Sequence, residues 1–166
     1  MFNRVEPAFL PAGERESLQA WLEFHRATLM MKCAGLTPEQ LATESCPPST
    51  LTLIWLVRHM TGVEGWFHSF DGQPDIDDPD DAEPSAEQVE RDMAAYLASV
   101  ERARGAVADV DLDTVIDLPH WVADDQPKIW EPTSLRWVYQ HMIEEYARHN
   151  GQADLIRERI DGAVGD

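Results

Sequence analysis

Apolar residues recur at steps of three and four along four long stretches of this chain, whereas clear strand signals are nearly absent. Residues spaced in this way lie on one face of a helix, and that face must be buried against a neighbour. The second stretch carries one such stripe, formed by Leu53, Leu56, Met60, Val63, Phe67 and Phe70. Long amphipathic helices joined by loops of mixed length predict an all-α four-helix bundle.

Turns and helix caps set the expected bounds of these helices. We expect the long helices at about residues 12–36, 50–70, 85–107 and 133–161. Thr37, Pro38 and Gln40 predict a short capped helix after the first of them. Ser85 and Gln88 form the same capping-box pattern at the start of the third.

Two segments between the helices do not show helical spacing. The first, "DGQPDIDDPDDAEP", combines three prolines with many acids and predicts a solvated loop. It fails the pattern of a calcium-binding loop, because Pro79 falls where the third ligand should be and no glycine follows. The second covers about residues 111–131, where "TVIDL" is a candidate short strand.

The composition indicates a reduced cytoplasmic protein. The length of 166 residues predicts one domain spanning residues 1–166. No apolar run approaches the roughly 20 residues of a membrane span, and the N-terminus lacks the pattern of a secretion signal. Cys33 and Cys46 are too few for a disulfide framework, and their spacing matches no metal motif.

The charge balance narrows the possible partners. The formal net charge is −18. Nucleic-acid binding needs patches of lysine and arginine, and so does docking on an anionic membrane. We therefore expect neither nucleic acid nor a membrane as a partner.

A carboxylate and an imidazole fall on the apolar stripe of the fourth helix. The stripe runs through Leu135, Val138, Met142, Glu145, His149, Gln152 and Ile156. Side chains four residues apart lie about 40° apart around a helix and roughly 6 Å apart along it. Glu145 and His149 can therefore hold one ion together, and the inward-facing His59 on the second helix can supply a third ligand. Two imidazoles and one carboxylate leave coordination positions open, as in a catalytic zinc site, and also suit iron or nickel.

Other residues could account for the same pattern. Glu64 and His68 have the same spacing as Glu145 and His149, but the loop that follows them predicts partial exposure. His25 lies on an apolar stripe and could be a hydrogen-bonded core histidine. His141 could replace a ligand or orient one. A polar network around Glu145, with histidine, arginine or tyrosine neighbours, remains the alternative to a metal.

Two further residues of the fourth helix stand next to the candidate ligands. Arg148 precedes His149 and points about 100° away from it, which predicts a solvated or salt-bridged surface residue. Gly151 lowers helix propensity by up to about 1 kcal/mol relative to alanine. It could allow close approach of a ligand or helix, or serve an ordinary packing contact.

The segments "TLIWLVRHM" and "SLRWVYQHMIEEYARHNGQADLIRE" together resemble the DinB superfamily, most closely its actinobacterial branch that includes mycothiol-dependent S-transferases. The resemblance covers nearly the whole chain. It implies a four-helix bundle with a metal held by a histidine on the second helix and a His-x3-His or Glu-x3-His pair on the last. Those positions match His59, Glu145 and His149. The first residue of the pair is a glutamate rather than the commoner histidine, and in this the chain resembles the mycothiol-dependent maleylpyruvate isomerases.

The resemblance implies a metal-dependent transferase that activates a mycothiol-like thiol for attack on an electrophile. Zinc is the expected metal, with nickel or iron possible, and a low-molecular-weight thiol is the expected cosubstrate. The alternatives are a metal-dependent hydrolase or isomerase at the same site, or a non-catalytic metal-binding interaction module. We also expect a homodimer, because Trp21 and Trp137 fall off the main stripes and could pack against a second subunit.

Overall fold

The computed structural model describes residues 4–10, 13–72, 84–120 and 129–165. Most of the acidic loop that was tested for calcium binding lies outside these ranges. The helices are α1 (Glu14–Cys33), α2 (Pro38–Leu41), α3 (Leu53–Val63), α4 (Gly65–His68), α5 (Ala86–Ala106) and α6 (Leu135–Asp161), and the strands are β1 (Val115–His120) and β2 (Ile129–Ser134). None of the helices within the described ranges has the length and apolar content needed to cross a bilayer.

The helical fold is confirmed, with one addition. β1 and β2 form a two-stranded antiparallel hairpin between α5 and α6. The candidate strand "TVIDL" is therefore confirmed, but its partner was not predicted. The fourth long helix starts at Leu135 rather than Thr133, because Pro132 and Thr133 belong to β2 and Ser134 caps the helix through the backbone nitrogen of Trp137.

The second predicted helix is interrupted near its end. α3 stops at Val63, α4 follows after Glu64, and a 3₁₀ turn covers Ser69–Asp71. The backbone of Glu64 stays in the right-handed helical region, with φ −58° and ψ −23°. The chain therefore continues in a nearly constant direction, so one stripe of side chains still reaches the core.

Side-chain contacts between the long helices give their relative directions. Along α1 and α6, Gln19 Nε2 donates to the Tyr139 hydroxyl (3.4 Å), and Lys32 further along pairs with Asp154 (2.6 Å). These two helices therefore run parallel. Contacts between α3 and α5 also follow the chain order in both helices, because Arg58 meets Asp92 and Thr61 meets Ser99. Contacts between α3 and α6 run in the reverse order, because Trp55 meets His149 and His59 meets Glu145. The bundle is thus made of two parallel pairs that run in opposite directions.

The apolar stripes form the core, with one exception. Leu97 lies four residues after Met93 and three before Val100, a spacing that predicts a place on the buried stripe of the third helix, but it is 45% exposed. Tyr96, its neighbour, is buried instead and fills the core beside Tyr146. The largest fully buried side chains are Tyr96, Tyr146, Phe67, Leu22, Leu29, Leu53, Ile54, Leu56, Met60, Leu118, Leu135 and Met142.

A charged network crosses this core. Arg26 binds Glu64 through Nε (2.8 Å) and Nη2 (2.5 Å), and the Tyr146 hydroxyl donates to the same carboxylate (2.5 Å). The predicted partial exposure of Glu64 and His68 is wrong, since both are buried. A carboxylate in the core requires such partners, because desolvation of an unpaired charge is very unfavourable.

Candidate metal centre

His59, Glu145 and His149 lie together where α3 crosses α6. The Nε2 atoms of His149 and His59 are 3.3 Å and 3.7 Å from the same oxygen, Oε2 of Glu145. The two imidazole rings have their centroids 4.7 Å apart. One ligand atom from each of the three residues lies within 4.8 Å of the others. The three residues named from the sequence are therefore adjacent in the fold, on two helices that run in opposite directions.

Local helix structure sets where each side chain points. Glu145 and His149 are four residues apart within α6, so they project over the same surface of that helix. Thr52 caps α3 through the backbone nitrogen of Trp55, one turn before His59. Because Val57 and Met60 on either side of His59 are fully buried, the rotation of α3 is fixed and His59 turns toward α6.

The ring orientation of His149 is fixed by Gln152. Nδ1 of His149 lies 2.7 Å from Gln152 Oε1. An amide oxygen can only accept, so Nδ1 carries the proton and donates, and Nε2 is the ring nitrogen that faces Glu145 and His59. This is the usual arrangement of a metal-binding histidine, whose second nitrogen is hydrogen-bonded.

His59 is oriented by stacking. The ring of Trp55 lies parallel to that of His59, with centroids 5.1 Å apart and planes 7° apart. Trp55 also meets the edge of the His149 ring at 6.5 Å. Trp55 is 38% exposed, so one side of the centre is an aromatic surface that solvent can reach.

Glu145 directs its two oxygens to different partners. Oε2 faces the two candidate metal-binding histidines, whereas Oε1 contacts Arg148 and lies 3.9 Å from His141 Nε2. The nearby imidazoles of His149 and His59 lower the pKa of Glu145 well below its usual value, and the charge of Arg148 adds to the effect against the opposing influence of burial. The carboxylate is therefore ionised at neutral pH, as metal binding requires.

The separations of these atoms fit a metal. Zinc bonds of about 2.0–2.2 Å in a tetrahedron place neighbouring ligand atoms about 3.3–3.6 Å apart. The distance between His149 Nε2 and Glu145 Oε2 is 3.3 Å, and that between His59 Nε2 and the same oxygen is 3.7 Å. Two imidazoles and one carboxylate are also suitable donors for zinc, iron or nickel. The three residues thus fit one divalent ion with small side-chain adjustments.

The other candidates from the sequence lie apart from this centre or at its border. His25 accepts through its backbone oxygen from Asn150 Nδ2 (3.0 Å), and desolvation lowers the pKa of its imidazole. His68 Nε2 lies 2.9 Å from the backbone oxygen of Ser99. His141 borders the centre, where it stacks on Trp137 at 4.8 Å.

The sequence did not predict two contacts near the centre, and it left the role of Gly151 undecided. It allowed a salt-bridged Arg148 and arginine neighbours of Glu145 but did not name the ion pair between these two residues, although their spacing of three on one helix permits it. It did not predict the stacked rings of Trp66 and Trp137, 5.5 Å apart, because their approach depends on how α4 meets α6. Within the described residues, no atom lies within 4 Å of a Cβ built on Gly151, so no neighbouring helix or packing contact within this part of the chain explains that glycine.

Comparison with known proteins identifies the family of this chain. Residues 17–162 match the family model described as mycothiol-S-transferase. No curated protein and no solved structure matches the chain. Because the family match covers most of the 166 residues, this chain belongs to the mycothiol-S-transferase family, a DinB-like family.

Proposed function

We propose that this chain is a metal-dependent S-transferase in which His59, Glu145 and His149 hold one divalent ion and a mycothiol-type thiol attacks an electrophile. The observation that carries the proposal is the convergence of two imidazole nitrogens on one oxygen of Glu145, at 3.3 Å and 3.7 Å. Membership of a family described as mycothiol-S-transferase supports mycothiol as the cosubstrate. Zinc suits this donor set best, although nickel and iron use similar ligands.

The chain's own residues would prepare the centre for a thiol. A bound divalent metal would supply a Lewis acid that holds the cosubstrate's sulfur as thiolate near neutral pH. Three protein ligands leave a position for that sulfur. The charge of Glu145 offsets part of the metal's charge, so the sulfur should remain more nucleophilic than beside three neutral ligands. The new bond joins sulfur to the electrophile, and the thiol proton ends on the adduct or leaves with the displaced group.

The protein's own cysteines are unsuited to act as the nucleophile. Desolvation by burial raises the pKa of Cys33 to about 12, and its side chain lies in the core. Cys46 Sγ lies 3.6 Å from the backbone oxygen of Leu155, near the far end of α6 from Trp137. Neither thiol belongs to the donor groups identified among the described residues. The nucleophile must then arrive as a cosubstrate.

A conjugation assay tests the proposal. Metal-loaded and metal-free protein would each be given a generic electrophile together with mycothiol, bacillithiol, glutathione or cysteine. We expect the loaded protein to accelerate conjugation with mycothiol, and the metal-free protein to match the uncatalysed rate. His149→Ala should abolish both metal binding and turnover, while His25→Ala, the same change outside the centre, should retain the metal.

The visible spectrum of the cobalt-substituted protein distinguishes a wrong reaction from a wrong set of metal ligands. If the chain binds cobalt but no thiol changes the visible spectrum, and no conjugation is seen, the transferase proposal is wrong and a metal-dependent hydrolase or isomerase replaces it. If His149→Ala binds metal as tightly as the original chain, the assignment of the ligands is wrong.

A further inference from the structure

We propose that Arg148 is a fixed cation that restricts Glu145 to binding a metal through one oxygen and occupies the place where a second metal ion would otherwise bind. This inference rests on the proposed metal at His59, Glu145 and His149. Arg148 is not itself a candidate ligand. It would act through Glu145, as a positioning residue.

The first observation is the division of the Glu145 carboxylate. Oε2 faces His59 and His149, and Oε1 faces Arg148. The side chain of Glu145 is 13% exposed, so few water molecules can compete for its oxygens. Since Oε1 is held by a guanidinium, whose N–H groups only donate, Oε2 is the oxygen that remains for the metal.

The second observation is another donor group beside the first. His141, Glu144 and Glu145 offer ligand atoms that lie within 4.8 Å of one another. His141 Nδ1 is 3.7 Å from Glu144 Oε2, and His141 Nε2 is 3.9 Å from Glu145 Oε1. The two donor groups share Glu145, one at each oxygen. A carboxylate placed in this way can bridge two metal ions, as in two-metal catalytic sites.

The third observation is the position of the guanidinium. A single nitrogen of Arg148, Nη2, lies 2.9 Å and 3.2 Å from the two oxygens of Glu144 and also contacts Oε1 of Glu145. One positively charged atom thus meets carboxylate oxygens from both glutamates of the second donor group. A metal ion in that group would need the same oxygens and would be repelled by the arginine.

The expected outcome is a centre with one exchangeable metal ion and one cation built into the chain. Removing Arg148 leaves two carboxylates and an imidazole at positions i, i+3 and i+4 of one helix face. These are suitable oxygen and nitrogen donors for a divalent ion. The same removal frees Oε1, so Glu145 could bind the first metal through both oxygens.

Metal stoichiometry tests the inference without any thiol or electrophile. Each protein would be equilibrated with excess zinc, passed over a desalting column into buffer of fixed free zinc, and analysed for metal per chain. We expect one zinc per chain in the original protein and close to two in Arg148→Ala. Arg148→Lys keeps a cation on the same turn and should remain at one.

Matched variants separate the local effect from a change in net charge. Arg91 is also about half exposed and pairs with a glutamate four residues away, Glu87 (2.6 Å), on α5. Arg91→Ala should therefore remain at one zinc per chain. Adding Glu144→Gln to Arg148→Ala removes a ligand of the second group and should restore a value of one.

The cobalt spectrum provides an independent measurement at the first site. We expect weaker visible absorption in Arg148→Ala than in the original protein at one cobalt per chain, because Glu145 can then raise the coordination number, and we expect Arg148→Lys to restore the original spectrum. If Arg148→Ala holds one metal with an unchanged spectrum, the inference is wrong while the proposed metal site stands. If the original protein binds no metal, both are wrong.

Discussion

Arg26 and Glu64 are buried together, with side chains 3% and 0% exposed, which makes each the main partner of the other's charge. We predict that Arg26→Met lowers the free energy of unfolding by about 3–5 kcal/mol, because among the described residues the carboxylate of Glu64 would keep only the hydrogen bond from Tyr146. Urea unfolding followed by circular dichroism measures this change.

A double substitution tests the cause of that loss. Arg26→Met with Glu64→Leu removes both charges and should recover most of the stability, since apolar residues of similar size often replace a buried pair without cost. Arg91→Met, at an exposed pair, should change stability by no more than about 0.5 kcal/mol. If the double variant is no more stable than Arg26→Met, packing and not charge accounts for the loss.

The two cysteines should differ in reactivity. Burial raises the pKa of Cys33 to about 12, so its thiol is protonated at pH 8 and becomes thiolate only as the pH rises toward that value. Cys46 is only partly buried. We predict that iodoacetamide at pH 8 modifies one thiol in the folded protein and two after unfolding, as measured by intact mass. In Cys46→Ala the folded protein should remain unmodified; rapid labelling of that variant would contradict the burial of Cys33.

At the scale of elements, substitution by alanine should change stability in opposite directions at Gly151 within α6 and at Gly162, which caps its C-terminus. Gly151 lies within the helix, where alanine has the higher helix propensity, and among the described residues nothing lies within 4 Å of the added Cβ. We predict that Gly151→Ala stabilises the protein by roughly 0.5–1 kcal/mol. Gly162 ends the helix at φ +78°, so Gly162→Ala should destabilise it. Thermal unfolding measures both; a loss of stability in Gly151→Ala would indicate a contact there.

The spacing along α6 predicted the candidate metal centre because helix geometry is local. Glu145 and His149 must share a face once their segment is helical. The same reasoning was wrong for Glu64, since spacing gives the face of a residue but not what packs against that face. Its partner Arg26 comes from a different helix. For a similar reason the sequence predicted the first strand of the hairpin but not the second. The pairing of Ile116 with Thr133 joins two separate segments, and neither segment alone indicates it.

For the whole molecule, metal binding should be coupled to folding. The candidate ligands come from two helices that meet only in the folded bundle, so a metal would bind the folded chain far better than the unfolded one. At free zinc about 100 times the dissociation constant, the stabilisation is about 2.7 kcal/mol, or a rise of roughly 5–10 °C in Tm. We predict that a chelator reverses this rise in the original protein. His149→Ala should show no rise on addition of zinc.

The homodimer inferred from sequence stays a prediction. Trp21 and Trp137 are 41% and 40% exposed, as a surface that packs against a second subunit would require. We predict a dimer mass by light scattering at micromolar concentration, and a monomer after Trp21→Ser with Trp137→Ser. Val164→Ser, at a residue that is 74% exposed near the C-terminus, serves as the control for loss of exposed apolar surface. A monomer mass for the original chain would refute the dimer.

The order of the candidate ligands along the chain also has a consequence during synthesis. More than half of the 166 residues separate His59 from Glu145. A ribosome adds about 5–20 residues per second, so His59 emerges on the order of 10 s before the partners from α6. Throughout that interval the nascent chain carries one imidazole of the centre and none of its other ligands. The proposed metal would therefore bind only after α6 has left the ribosome. A chain that is truncated before α6 would lack two of the three proposed ligands and should not bind the metal at this centre.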